Sequence, residues 1–292
     1  YRLAGVVAAA AGAALPLPGP TRVIGILAVA VLVGAAWSGL AGLLRAYRGV
    51  SEVIATIMLN AIALGLTPFL LTRYFEDDSE GFAVRTRPIP SGGRLPFLDF
   101  LIPGGAPAGA RFNPFILIAI AVGVVYYVLI WRSRFGYDLR ASGSNPHAAR
   151  ASGVDAKRMT VIAMAISGGI AGLVGLSTIL STPYSYTEES FLSGLGFTGI
   201  AIALLGRNHP VGIALGAFLW AFIDVSRTAL SSATPPLPRE IATIMQGIIV
   251  FSVVIAYEVV ARIAERRDAA EVARRTEDPP PTTEPSTAGA AS

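Results

Sequence analysis

Runs of apolar residues close to twenty long recur along the whole chain, and they leave few ways to fold it. A helix of about 20 mostly apolar residues is what crosses the hydrocarbon of a bilayer. Eight segments stand out: Leu3–Leu17, Val23–Leu44, Val53–Leu71, Pro114–Trp131, Met159–Leu180, Phe191–Leu205, Val211–Leu230 and Ile241–Val260. Their apolar residues form blocks, not the period-2 or period-3.6 stripes of soluble strands and helices. Only 14% of the residues are charged, against about a quarter in a soluble domain. The expected fold is all-α: an integral, polytopic helix bundle of about eight transmembrane helices.

Loop charge orients the bundle. Arginines cluster after the second segment (Arg45, Arg48), around the fourth-to-fifth connection (Arg132, Arg134, Arg140, Arg150, Arg158), after the sixth (Arg207) and after the eighth (Arg262, Arg266, Arg267). If all eight segments span, every cluster falls on one side, and the positive-inside rule makes that side the cytoplasm. Both ends are then cytoplasmic. A re-entrant sixth segment would put the arginine-rich tail outside, so that short segment is read as spanning. Residues 1–262 form the transmembrane domain. It carries an external loop over 72–112 and a cytoplasmic loop over 132–158. For the long external loop two readings stand level: a lid or docking surface, and a solvated linker. Residues 263–292 are polar, with three consecutive prolines from Pro279, and read as a disordered tail.

Several function classes drop out. There is no cysteine, so thiolate metal sites and disulfides are excluded. His147 and His209 are the only histidines, both placed in polar loops, and no metal site or cofactor is expected. The net charge of +4 comes from loop arginines without interleaved aromatics, which argues against nucleic acid. No paired catalytic constellation appears, so a membrane-embedded enzyme is disfavoured. The G-x-x-x-x-G-K-[ST] phosphate loop needs a lysine. The sole lysine, Lys157, is flanked by Ala156 and Arg158, so the chain holds no such ATPase motif.

Polar residues at membrane depth cost a few kcal/mol each and face a bundle interior. Glu52, Thr56 and Asn60 recur at i, i+4 and i+8, one helix face, with Thr67 extending the stripe. Asp224 and Arg227 are spaced to pair, and Thr243 and Gln246 share a face. Singly, each is as well explained by interhelical hydrogen bonding. As a set, Thr56, Asn60, Asp224 and Gln246 would line a path for a small polar solute. Glu52 sits at a helix start, where a carboxylate favours the dipole. Gly168-x-x-x-Gly172 and Gly212-x-x-x-Gly216 would let helix backbones approach closely.

The cytoplasmic loop reads GYDLRASGSNPHAARASGVD. Asn145 and Pro146 fit an N-cap and first helical position, Ala148, Ala149 and Ala151 favour helix, and Gly153 fits the stop. A short surface helix between two spanning helices suits a groove on another protein.

That loop resembles the coupling-helix loop of ABC transporter permeases of the branched-chain amino acid/simple sugar class. GVSEVIATIMLN (Gly49–Asn60) and GFTGIAIALLGRNHPVGI (Gly196–Ile213) are similar to motifs of its nucleoside and simple-sugar members. The likeness covers about residues 23–260. It implies a permease subunit of an importer in a bacterial plasma membrane. The partners it implies are cytosolic ATP-binding subunits, a second permease subunit, identical or homologous, and an extracytoplasmic substrate-binding lipoprotein. The implied solute is a nucleoside first and a simple sugar second. Asn145, Pro146, Ala148, Ala149 and Gly153 would be the ATPase-coupling residues, with Ala149 and Gly153 packed in the ATPase groove. Such permeases carry an upstream motif like F-N-I-G-x-E-G-Q that is absent here. The chain is expected to start after it, and the bundle to hold about ten helices with that region present. The alternative is a self-sufficient facilitator or channel, which the polar stripe alone would allow.

Overall fold

The computed structural model describes residues 1–16, 18–76, 84–95, 97, 112–181, 184–187, 194–231, 244–249, 251–252 and 255. Most of the external loop, the tail 263–292, and Thr243 lie outside them. The described residues are mostly helical, with isolated bridges at Glu76–Thr86 and Arg85–Thr187. Two compact units divide the chain, Tyr1–Ser193 and Gly194–Ser292.

The first unit begins with α1 (Arg2–Ala14) and α2 (Gly19–Arg48). Pro20 near the start of α2 and Gly49 after its end frame a helix of 30 residues. Gly49 is left-handed at φ 68°, and its N–H reaches the Arg45 carbonyl at 3.2 Å, a C-terminal stop that glycine adopts without strain. Then come α3 (Glu52–Leu70), prolonged by a π turn over Leu71–Phe75, and α4 (Phe115–Tyr127), prolonged by another over Val128–Arg132. α5 (Arg134–Ser144), α6 (Pro146–Ala151), α7 (Ala156–Leu173) and α8 (Leu176–Ile179) complete the unit. Four spans are long and apolar enough to cross a membrane: Gly19–Arg48, Glu52–Phe75, Phe115–Arg132 and Ala156–Ile179. Shorter apolar helices add to them, and the chain is an all-α polytopic membrane protein.

The expected fifth segment is broken at Val174 and Gly175, where α7 gives way to the single turn of α8. α5 is a helix that the sequence reading left as loop, and His147 lies in α6 instead of a loop.

α2 and α7 meet backbone to backbone. A Cβ on Gly34 would overlap the Gly168 carbonyl oxygen, and one on Gly172 would overlap the Ala30 carbonyl. Gly168 faces Gly34 and Ser38. The expected Gly168/Gly172 pair therefore packs on α2. Around this seam Val6, Ile26, Leu71, Leu176, Ile179 and Leu180 form the core, all but fully buried.

In the second unit α9 (Leu195–Leu205) and α10 (Pro210–Ser231) form a helical hairpin. Its turn holds Arg207 and Asn208 at positive φ, 54° and 56°. Gly212 packs on the Gly206 carbonyl and Gly216 on Leu205 and Ile202, so the second small-residue pair closes this hairpin. Of the eighth expected segment, residues 244–249 are helical.

Candidate functional site

The polar stripe on α3 resolves residue by residue. Glu52 is taken by Arg45, Oε2 to Nε 3.2 Å, with both side chains about half exposed. The Thr56 hydroxyl donates to the Glu52 carbonyl of its own helix at 2.8 Å. Thr67, nearly fully buried, donates to the Ala63 carbonyl at 2.7 Å. Serine and threonine satisfy themselves this way inside helices. Asn60 is different. It is exposed on α3, and its amide makes no hydrogen bond to any described residue. A side-chain amide at mid-span without a partner costs free energy in hydrocarbon. Asn60 is thus the member of the stripe with hydrogen-bonding capacity left over.

In the second unit Asp224 is half-buried on α10, and Gln246 is buried at 8% exposure. The Arg227 side chain lies outside the described residues, as does the pairing expected for it. The four path residues therefore belong to two units, Thr56 and Asn60 to one, Asp224 and Gln246 to the other.

The α4–α7 connection is a pair of helices stacked through caps. The Ser133 Oγ accepts from the Gly136 N–H at 3.1 Å and starts α5. Arg140 of α5 folds back, donating to the Ile130 carbonyl and lying 5.2 Å over the Trp131 ring. The Asn145 side-chain oxygen accepts from the N–H groups of His147 (3.0 Å) and Ala148 (3.1 Å), the predicted cap of α6. Gly153 is left-handed at φ 83°, and the Val154 N–H closes on the Ala149 carbonyl at 2.9 Å. Asp155 then caps α7 through the Lys157 N–H at 3.0 Å. Pro146, His147, Ala148, Arg150 and Gly153 are exposed. Ala149 is not: at 4% exposure it is the buried residue of α6. Its methyl group already packs within the chain, and the exposed face is the one carrying Pro146, Ala148 and Gly153.

A third feature had no sequence signal. Segment 84–95 is latched to 184–187 by main-chain groups. The Thr86 N–H donates to the Tyr186 carbonyl at 3.1 Å and the Ile89 N–H to the Tyr184 carbonyl at 2.7 Å. The Tyr186 N–H returns to the Thr86 Oγ1 at 2.9 Å. The Leu95 N–H reaches the Leu180 carbonyl at 3.2 Å, and the Arg94 guanidinium sits 4.3 Å over the Tyr184 ring. Thr86, Ile89 and Tyr186 are fully buried, so the solvated-linker reading does not hold for these residues. Asn113 joins the start of α4 to the end of α8, donating to the Ser181 Oγ at 3.0 Å.

Against this geometry, residues 2–254 match the family model described as branched-chain amino acid transport system / permease component. The chain belongs to that permease family. Among relatives of this permease, the guanosine ABC transporter permease protein of Bacillus subtilis is 32% identical over 236 residues, 80% of this chain and 65% of the relative. The nucleoside ABC transporter permease protein of Lactococcus lactis is 28% identical over 236 residues, 80% of this chain and 63% of the relative. The glucose ABC transporter permease protein of Haloferax volcanii is 30% identical over 223 residues, 76% and 58%. The permease chain thus spans less than two thirds of the length of each. No solved structure matches it.

Proposed function

We propose that this chain is a permease subunit of an ABC importer that carries a nucleoside, or failing that a simple sugar, across the cell membrane. The relatives named for guanosine, nucleosides and glucose support the solute class. The observation that carries the reading is α6. It is six residues long, capped at both ends, exposed on one face and joined directly to α5 and α7. So short a helix has no stability of its own and exists because caps and packing hold it. It presents Pro146, Ala148 and Gly153 to a cytosolic ATP-binding subunit, while Ala149 and the Asn145 cap seat it. Energy enters there, from ATP hydrolysed by that subunit.

Asn60 is the principal solute contact on α3. Thr56 lies one turn before it on the same helix, Asp224 and Gln246 are the polar candidates of the second unit, and a second permease subunit and a substrate-binding lipoprotein are the remaining partners. Both chain ends face the cytoplasm, the side of the arginine clusters. The test is reconstitution of the full chain with candidate ATP-binding subunits and lipoprotein in proteoliposomes. ATP-dependent uptake of a labelled nucleoside is expected, and its loss on deleting residues 145–153. Uptake unchanged by that deletion overturns the coupling role. Uptake without ATP or partners marks a passive facilitator instead.

A further inference from the structure

A groove of about 350 Å³ opens between the Arg48 end of α2 and α3, lined by Leu40, Leu43, Leu44, Tyr47, Arg48 and Leu59. The α2 residues recur at i, i+3, i+4, i+7 and i+8, so they form one face. From Leu40 to Arg48 that face runs about 12 Å at 1.5 Å per residue. This approaches the hydrocarbon depth of one leaflet, about half of 30 Å. Its wall is leucine and its rim is polar.

The charges at the rim are sorted. Arg45 is neutralised by Glu52 at 3.2 Å, and Arg158 by Asp155 at 3.7 Å. Among the described residues, Arg48 and Lys157 have no carboxylate partner. The Arg48 side chain makes no hydrogen bond or ion pair among the described residues. The Lys157 Nζ lies 5.8 Å from the centroid of the Tyr47 ring, the groove's own rim residue. An apolar slot of leaflet depth that ends in two uncompensated cations is complementary to one class of molecule.

We propose that this groove binds an anionic phospholipid of the leaflet at the Arg48 end of α2. One acyl chain lies along Leu40, Leu43, Leu44 and Leu59. The headgroup phosphate sits between Arg48 and Lys157, the long side chains extending to the interface. Tyr47 stands at headgroup level, where amphipathic rings collect. Basic pockets between spanning helices recognise anionic headgroups in this way. The proposal needs the membrane span but not transport, so it stands apart from the importer reading.

The full chain, purified in mixed phosphatidylcholine and phosphatidylglycerol, is examined by native mass spectrometry after delipidation. Retention of phosphatidylglycerol in preference to phosphatidylcholine is expected. The double variant Arg48→Gln/Lys157→Gln should hold it about thirtyfold less tightly, the effect of two basic residues beside an anionic surface. A benzophenone side chain at Leu44 reports the occupant of the otherwise unaltered chain, whatever becomes of the double variant's folding. A lipid adduct there, richer in phosphatidylglycerol, supports the site. A cross-link to protein, from a second copy or another helix, overturns it. Equal retention of phosphatidylglycerol by wild type and a folded double variant also overturns it.

Discussion

Single residues in this chain divide by what a side chain there would meet. A Cβ at Gly168 would strike Ser38 and the Gly34 backbone, whereas one at Gly143 meets nothing within 4 Å. Gly168→Val should therefore cost about 1–3 kcal/mol or more through overpacking. Gly143→Ala in α5 should gain about 0.5–1 kcal/mol from the lower backbone entropy of alanine. Thermal melting in detergent checks both, and equal shifts would contradict the close α2–α7 seam. Asn60 divides from its neighbours by chemistry. The Thr56 hydroxyl is satisfied by its own helix and Asn60 is not. Asn60→Leu should leave melting unchanged or raised. Reconstituted uptake should fall roughly five- to tenfold, the worth of about one hydrogen bond to the solute. A variant that melts early and transports normally per folded molecule would assign Asn60 to packing instead.

Among the elements, α6 is the one that depends most on its caps, the N-terminal one above all. Asn145→Ala removes the acceptor for two N–H groups and should cost about 1 kcal/mol. In a helix of six residues that is enough to melt it locally. Amides 147–154 should lose hydrogen-exchange protection, and ATP hydrolysis stimulated by solute should fall, while α7, capped independently by Asp155, stays protected. Ala149→Trp should act the same way, from inside, because that side chain is buried. The spans α2, α3, α4 and α7 were legible in the sequence because hydrocarbon thickness dictates their length. α6 was legible because Asn-Pro and Gly are position-specific. α5 was not, since Arg134–Ser144 mixes polar and apolar residues with two glycines and resembles a loop by composition. Its helix is held by Ser133 and by Arg140 lying on the end of α4, contacts that only the fold supplies. The inward face of Ala149 was equally hidden, because a helix of under two turns shows no readable periodicity.

For the molecule as a whole, the orientation proposed from the arginines can be checked against a clean background, since the chain has no cysteine. Ser91 and Ser152 are both exposed. Ser91→Cys should react with an impermeant maleimide from outside sealed cells, and Ser152→Cys only after the membrane is opened. The reverse pattern would invert the bundle and place α6 away from any cytosolic ATP-binding subunit. The latch between 84–95 and 184–187 has a different consequence at this scale. Three of its bonds run from main-chain N–H to main-chain carbonyl, at Thr86, Ile89 and Leu95, and these do not themselves use side-chain atoms, whereas the Thr86 hydroxyl accepts a fourth. Pro88 and Pro90 alternate with Ile89, leaving the one N–H between them to be used. Evolution is therefore free to rewrite the exposed letters of this strap while its shape persists. The substitution such a strap refuses is an imino acid at an amide it spends, a grammar of backbone and not of vocabulary.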